Sequence, residues 1–172
     1  MKLSELDIGG KVRIGNYEFV KVEESKVNNY VTLLSTSIVK KLPFGDERDY
    51  AKSPIRDFCE NDFYNELCRY IPAENFVEFD HSLIAANGSG CDRYIKTKVA
   101  IPNVIQSFNW YKEMPEYDEW IWTSSISTYN ELNYRNDILC VGTDGVWYRA
   151  AYYQFNGLAP YMRIKGTFEV NN

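Results

Sequence analysis

The feature that most constrains this chain is a turn dipeptide set between two apolar, aromatic runs. Ile138-Leu139-Cys140-Val141-Gly142-Thr143 leads into Asp144-Gly145, and Val146-Trp147-Tyr148 follows. Asp-Gly in that setting predicts a tight β-hairpin, because a type I′ turn needs positive φ at both central residues. Upstream, Trp120-Ile121-Trp122-Thr123-Ser124-Ser125 reads as another strand, and Leu158 to Gly166 as a closing one. Trp120 and Trp122 are two apart, so a strand puts them on one side. With Trp147 they are expected to be largely buried.

Such strands need something to pack against, and the rest of the chain supplies it. With 172 residues it can build a full core within one domain, 1–172. Fourteen Tyr and four Trp favour strands and supply burial that offsets chain entropy. Leu6 to Val22 reads as an opening hairpin turning at Gly15-Asn16, followed by a polar loop from Glu23 to Asn29. Tyr30 to Ser35 is a nearly continuous apolar strand, as expected when both faces are covered. After a long connection, Ser53-Pro54 opens a helix: Ser is a favoured N-cap and Pro suits the first helical position. Ile55, Phe58, Cys59, Phe63, Leu67 and Cys68 keep helical spacing with a shift near Asn61, and Pro72 ends the pattern. Strands are expected over Phe76 to Ile84 and Tyr94 to Ile101, with a short helix over Val104 to Lys112. The fold class is therefore α+β: mainly antiparallel strands with one or two helices.

Chemistry is harder to find. A formal charge of −5 argues against a general phosphate-binding surface, and the basic clusters are short, Lys40-Lys41 and Arg93 with Lys96 and Lys98. No nucleic-acid partner is expected. Asn87-Gly88-Ser89-Gly90 lacks the Lys-Ser/Thr and helix start of a phosphate loop, so it reads as a turn. Four scattered Cys, no CxxC and one His give no metal-ligand spacing, so neither metal nor cofactor is expected. Cys59 and Cys140 sit among apolar neighbours and read as buried free thiols. His81 and Asp80 are adjacent, so on a strand they face opposite ways and cannot form a base and its orienter. Ser124-Ser125 lacks the glycine-flanked nucleophile elbow. No constellation of nucleophile and base stands out, and the chain reads as a non-enzyme. Arg163 reads as a structural charge paired with a carboxylate. The N-terminus lacks the apolar core of a signal peptide, and no apolar run is long enough for membrane insertion.

The candidate contacts lie on loops, where a rigid scaffold concentrates binding residues. Asn130-Glu131-Leu132-Asn133-Tyr134-Arg135-Asn136-Asp137 carries amide and carboxylate oxygens of the kind that bind calcium or sugar hydroxyls, although a solvated loop has the same composition. The binding candidates are Tyr117, Tyr129, Asn130, Glu131, Asn133, Tyr134, Asn136 and Asp137.

Several short motifs resemble a bacterial and phage domain family of unassigned function with a C-type-lectin-like fold. They are Gly15-Asn16-Tyr17-Glu18-Phe19, Leu33-Leu34-Ser35, Ile55-Arg56-Asp57-Phe58 with Phe63-Tyr64, Trp120 to Ser124, and the closing Tyr161-Met162-Arg163. The family is distantly similar to the formylglycine-generating sulfatase-modifying domains, whose paired catalytic cysteines have no counterpart here. Two family features are missing: the Arg of its usual Trp-Leu-Arg-Ser near Ile121-Trp122-Thr123-Ser124, and the Pro of its closing Arg-Pro at Met162-Arg163-Ile164. Calcium-dependent lectins carry Glu-Pro-Asn and Trp-Asn-Asp motifs, and these are absent too. The resemblance implies a single C-type-lectin-like domain acting as a virion-associated recognition or structural module. It would be made in the host cytoplasm and would bind other virion proteins or a host-surface glycan or protein, as a monomer or homo-oligomer. A small cytosolic inhibitor or regulator of host defence is the alternative, and an enzyme the third reading.

Overall fold

The structure is a computed structural model that describes residues 1–46, 48–126 and 137–170. It is α+β: strands, mainly antiparallel, in several sheets, with one main helix. The strands are β1 (Lys11–Ile14), β2 (Tyr17–Ser25), β3 (Tyr30–Ser35), β4 (Lys40–Leu42), β5 (Phe79–Ser82), β6 (Tyr94–Thr97), β7 (Val99–Ala100), β8 (Ile121–Ile126), β9 (Asp137–Val141), β10 (Trp147–Ala151), β11 (Asn156–Leu158) and β12 (Tyr161–Lys165). One sheet has the order β1-β2-β3-β12-β7, the second β10-β9-β8-β11-β4, and β5 pairs with β6. β11 runs parallel to β8; the other pairings are antiparallel.

The opening hairpin forms as its sequence suggests, with Ile14 opposite Tyr17 and Gly15 at φ +58°, a conformation that favours glycine. β2 runs through Ser25, into the stretch expected to be loop, because Glu23, Glu24 and Ser25 pair with Thr32, Val31 and Tyr30 of β3 after a bulge between Lys21 and Glu23. Lys21 is buried there. Its Nζ donates to the Leu6 carbonyl at 2.6 Å and the Leu3 carbonyl at 3.4 Å, and pairs with Glu24 at 3.0 Å. It thereby ties the N-terminal turn Leu3–Glu5 to the sheet. Lys21→Ala is expected to lower the unfolding free energy by about 1–3 kcal/mol, since it strands these acceptors. Urea denaturation of the variant measures this.

The main helix starts where Ser53 accepts a hydrogen bond from the Arg56 N–H at 3.1 Å, with Pro54 in its first turn. Helix Pro54–Asp57 passes into a π-helical stretch, Phe58–Phe63, and on into Tyr64–Leu67. The expected shift near Asn61 is this π turn. Ile55, Cys59, Phe63 and Leu67 are spaced by four and are all buried. On an α-helix, steps of four drift by about 40° each, because a turn takes 3.6 residues. The wider π turn drifts the other way and returns Phe63 and Leu67 to the core face.

β3 is covered on both faces: Val31, Thr32, Leu33, Leu34 and Ser35 are all buried. One large apolar cluster joins the two sheets and the main helix. A smaller one, Tyr117, Ile121, Val141 and Ala159, lies on the other side of the second sheet. Cys59 and Cys140 are buried free thiols; burial pushes them up to about 12 and about 11. Arg163 lies 3.7 Å from Glu23, between the rings of Tyr30 and Phe79. No helix among the described residues is long and apolar enough to cross a membrane.

Two further expectations fail. Asp144-Gly145 does turn between β9 and β10, but not as a two-residue type I′ turn. Residues 142–146 make the connection: the Gly145 N–H bonds to the Gly142 carbonyl, and the Gly142 N–H to the Val146 carbonyl. Gly145 has φ +73°, whereas Asp144 does not share positive φ, so only the glycine carries the left-handed residue of this longer turn. Nor are the three Trp all buried. Trp122 is 1% exposed, but Trp120 is 36% and Trp147 41% exposed. Trp120 precedes the first residue of β8, so strand alternation does not govern it. Trp147 opens β10, an edge strand.

Candidate recognition cleft

Two arrangements of polar and aromatic side chains stand out, one sealed and one open. The sealed one centres on His81 of β5. Asp80 and His81 do face opposite ways: Asp80 reaches Lys96 at 3.5 Å on the surface, while His81 is 1% exposed. His81 Nδ1 lies 2.8 Å from the Tyr161 hydroxyl and Nε2 2.8 Å from Ser124 Oγ. Gln106 Nε2 donates to the same Tyr161 oxygen at 2.7 Å. Gln106 and Asn103 form the reciprocal cap of the short helix Val104–Asn109, and Asn103 Nδ2 donates to the Ser82 carbonyl. Burial pushes the imidazole down to about 3, with Arg163 adding to the effect, so His81 is neutral. A serine within hydrogen-bond reach of a histidine resembles a nucleophile and its base. Ser124 is itself 1% exposed, so what the geometry supplies is a fully engaged internal strut joining β5, β8, β12 and the short helix.

The open arrangement is a cleft of about 970 Å³ between the short helix with its following segment and the β9–β10 turn. The helix and the turn after it make it by presenting two stripes. Val104, Ser107 and Trp110 point inward and are buried, whereas Ile105, Phe108 and Tyr111 point outward. Phe108 and Tyr111 are 68% and 66% exposed and line the cleft. Trp147 faces Phe108 with ring centroids 6.1 Å apart. Beneath them lie Met114, Tyr117 and Val141, the outer cover of the smaller apolar cluster.

The rim is polar and mostly acidic: Glu113, Glu116 and Asp144, with Lys112. Asp144 is fixed in place. It accepts the Val146 N–H at 3.0 Å and the Tyr148 hydroxyl at 2.6 Å, and these bonds hold its carboxyl below the usual carboxylate range. Tyr148 in turn stacks on Trp120 with centroids 4.6 Å apart, and its ring passes so close to Gly142 that a Cβ there would lie 2.7 Å away. The turn bearing Asp144 is thus braced by two rings.

The residues expected to make contacts fare differently. Tyr117 is not an exposed loop residue: it is buried at the floor of the cleft, and its hydroxyl donates to the Ser35 carbonyl at 2.7 Å. The loop that carries it needed an anchor, and a Tyr ring with a polar tip provides one. Tyr129, Asn130, Glu131, Asn133, Tyr134 and Asn136 lie outside the described residues, and of Asp137 only the backbone, at the start of β9, is described. Phe108, Tyr111 and Trp147 were missed. Helical phase from Val104 into the following turn could have found the first two, because Phe108 and Tyr111 each lie one position past a buried residue, Ser107 and Trp110. The basic clusters are engaged: Lys41 with Glu119, Arg93 with Asp49, Lys98 with the Tyr64 hydroxyl, and Lys40 over the Phe58 ring. Among the described residues no three His, Cys, Asp or Glu side chains converge as a metal site. No family model, curated protein or solved structure matches this chain.

Proposed function

We propose that this chain is a non-enzymatic recognition module and that its contact surface is the cleft of Phe108, Tyr111 and Trp147. The observation that carries the reading is the exposure of these three rings around one concavity. Large apolar side chains gathered at one exposed place mark interaction sites, and aromatic anchors in a depression are where binding energy concentrates. The braced Asp144 turn supports the same reading, since a pre-set wall loses little freedom when a partner docks. The resemblance to the phage and bacterial lectin-like domains favours a place within a larger assembly, such as a virion. Burial of the one serine–histidine pair described favours binding over catalysis.

Amine-reactive cross-linking of the assembled material, read by mass spectrometry, tests this. Lys112 stands on the cleft rim, whereas Lys26 and Lys165 lie away from its lining. Cross-links to a partner are expected to concentrate at Lys112 and to fall by roughly tenfold in Trp147→Ala. Partner cross-links confined to Lys26 or Lys165, and unchanged in that variant, would remove the cleft from consideration.

A further inference from the structure

Resting on the cleft as the recognition surface, we infer that its occupant is a basic, apolar-bearing segment of a partner protein: Lys or Arg side chains interspersed with aliphatic or aromatic ones. Charge complementarity selects this chemistry. Glu113, Glu116 and Asp144 stand around the cleft against the single Lys112. Among the described residues Glu113 and Glu116 have no ion pair of their own, so their charge is available to a partner. The rings supply the second half of the match. Faces of Trp, Tyr and Phe attract a guanidinium or ammonium through the ring quadrupole and equally accept an apolar side chain. The chain as a whole carries −5, so a basic segment is also steered toward it. An acidic ligand meets repulsion at the rim, and a neutral saccharide would stack on the rings and donate hydroxyls to the carboxylates but leave their charge uncompensated. A volume of about 970 Å³ lies at the upper end of small-ligand sites and suits several consecutive side chains.

Fluorescence anisotropy with the full chain and four labelled short peptides tests this. The repeats are Gly-Lys-Leu, Gly-Ser-Leu, Gly-Glu-Leu and Gly-Lys-Ser. The Lys-Leu probe is expected to bind at least about tenfold more tightly than the Glu-Leu probe, and more tightly than the Ser-Leu and Lys-Ser probes. Trp147→Ala, and separately Tyr111→Ser, should weaken it by roughly tenfold, with the unfolding midpoint unchanged in Tyr111→Ser, whose ring is 66% exposed. Glu113→Gln with Glu116→Gln should weaken it about fivefold and flatten its salt dependence. The control pair Glu74→Gln and Glu78→Gln, away from the cleft, should leave it unchanged.

Equal loss in that control pair would mean diffuse attraction to an acidic protein and overturn the inference. So would probes that bind without regard to charge. If instead a neutral oligosaccharide binds in a Trp147-dependent manner and the Lys-Leu probe does not, the peptide inference falls while the cleft keeps its role. Self-association abolished by Trp147→Ala, with no peptide binding, has the same consequence in favour of a second copy. Lys-Leu binding indifferent to both Trp147→Ala and Tyr111→Ser would overturn the cleft itself.

Discussion

Trp122→Ala is expected to lower the unfolding free energy by about 3–5 kcal/mol, the range for removing a large buried aromatic side chain. Trp122 is among the largest fully buried side chains, and its ring meets Phe44 edge-on at 5.6 Å. Its Nε1 donates to the Leu42 carbonyl at 2.8 Å. Leu42 belongs to β4, an edge strand paired only with β11 in its sheet, so the indole supplies a second attachment. Alanine leaves a cavity and an unpaired carbonyl together. Trp122→Phe keeps most of the packing and should cost less, separating the lost hydrogen bond from the cavity. Urea denaturation of both variants decides it. A loss below about 1 kcal/mol in Trp122→Ala would mean that this core closes over the gap, against the rigidity expected of close packing.

Stability is expected to fall as pH drops below about 6.5, by at most about 1.4 kcal/mol per pH unit, until about 3. The sign follows from His81. Its folded value is pushed below its ordinary 6.5 by burial, so in this window the unfolded chain binds a proton that the native state refuses. His81 stability is therefore fully present above about 6.5 and is lost as pH falls. It is the single histidine of the chain, and carboxylates contribute little above about pH 5. Between those values the slope belongs to this side chain. Denaturation across that range gives the slope, and NMR of the one imidazole should show it neutral in the folded protein throughout. A native imidazole titrating near 6.5, with stability flat, would show that water reaches the strut.

Patterns confined to one element were legible in the sequence. Ser53 and Pro54 announced the helix start, the run from Tyr30 to Ser35 announced a strand covered on both faces, and alternation put His81 and Asp80 on opposite faces. What His81 meets was not legible. Tyr161 and Ser124 are distant in sequence, and nothing local says that β5, β8 and β12 bring them together. The cleft failed for the same reason, since its walls come from 107–117 and 141–147. Tyr117 and Trp147 were misjudged in opposite directions. A residue on a polar loop went inside because the loop needed an anchor, and one flanked by strand residues stayed out because its strand ends the sheet. Sequence alternation reports which face a residue is on, not whether that face is covered.

The placement of β11 and β12 has a consequence for how the chain comes off the ribosome. Until Asn156 to Lys165 are made, each large sheet lacks an inner strand: β7 has no β12 to join it to β3, and β4 has no β11 to join it to β8. The earlier hairpins can pair, but neither sheet can close and the main core cannot form around Tyr161, Met162 and Ile164. Folding of these sheets must therefore wait until β11 and β12 have been made, and pairing β12 with the distant β3 makes it slow. A nascent chain arrested before Asn156 should remain protease-sensitive, and one extended far enough for Lys165 to clear the exit tunnel should become resistant in a single step.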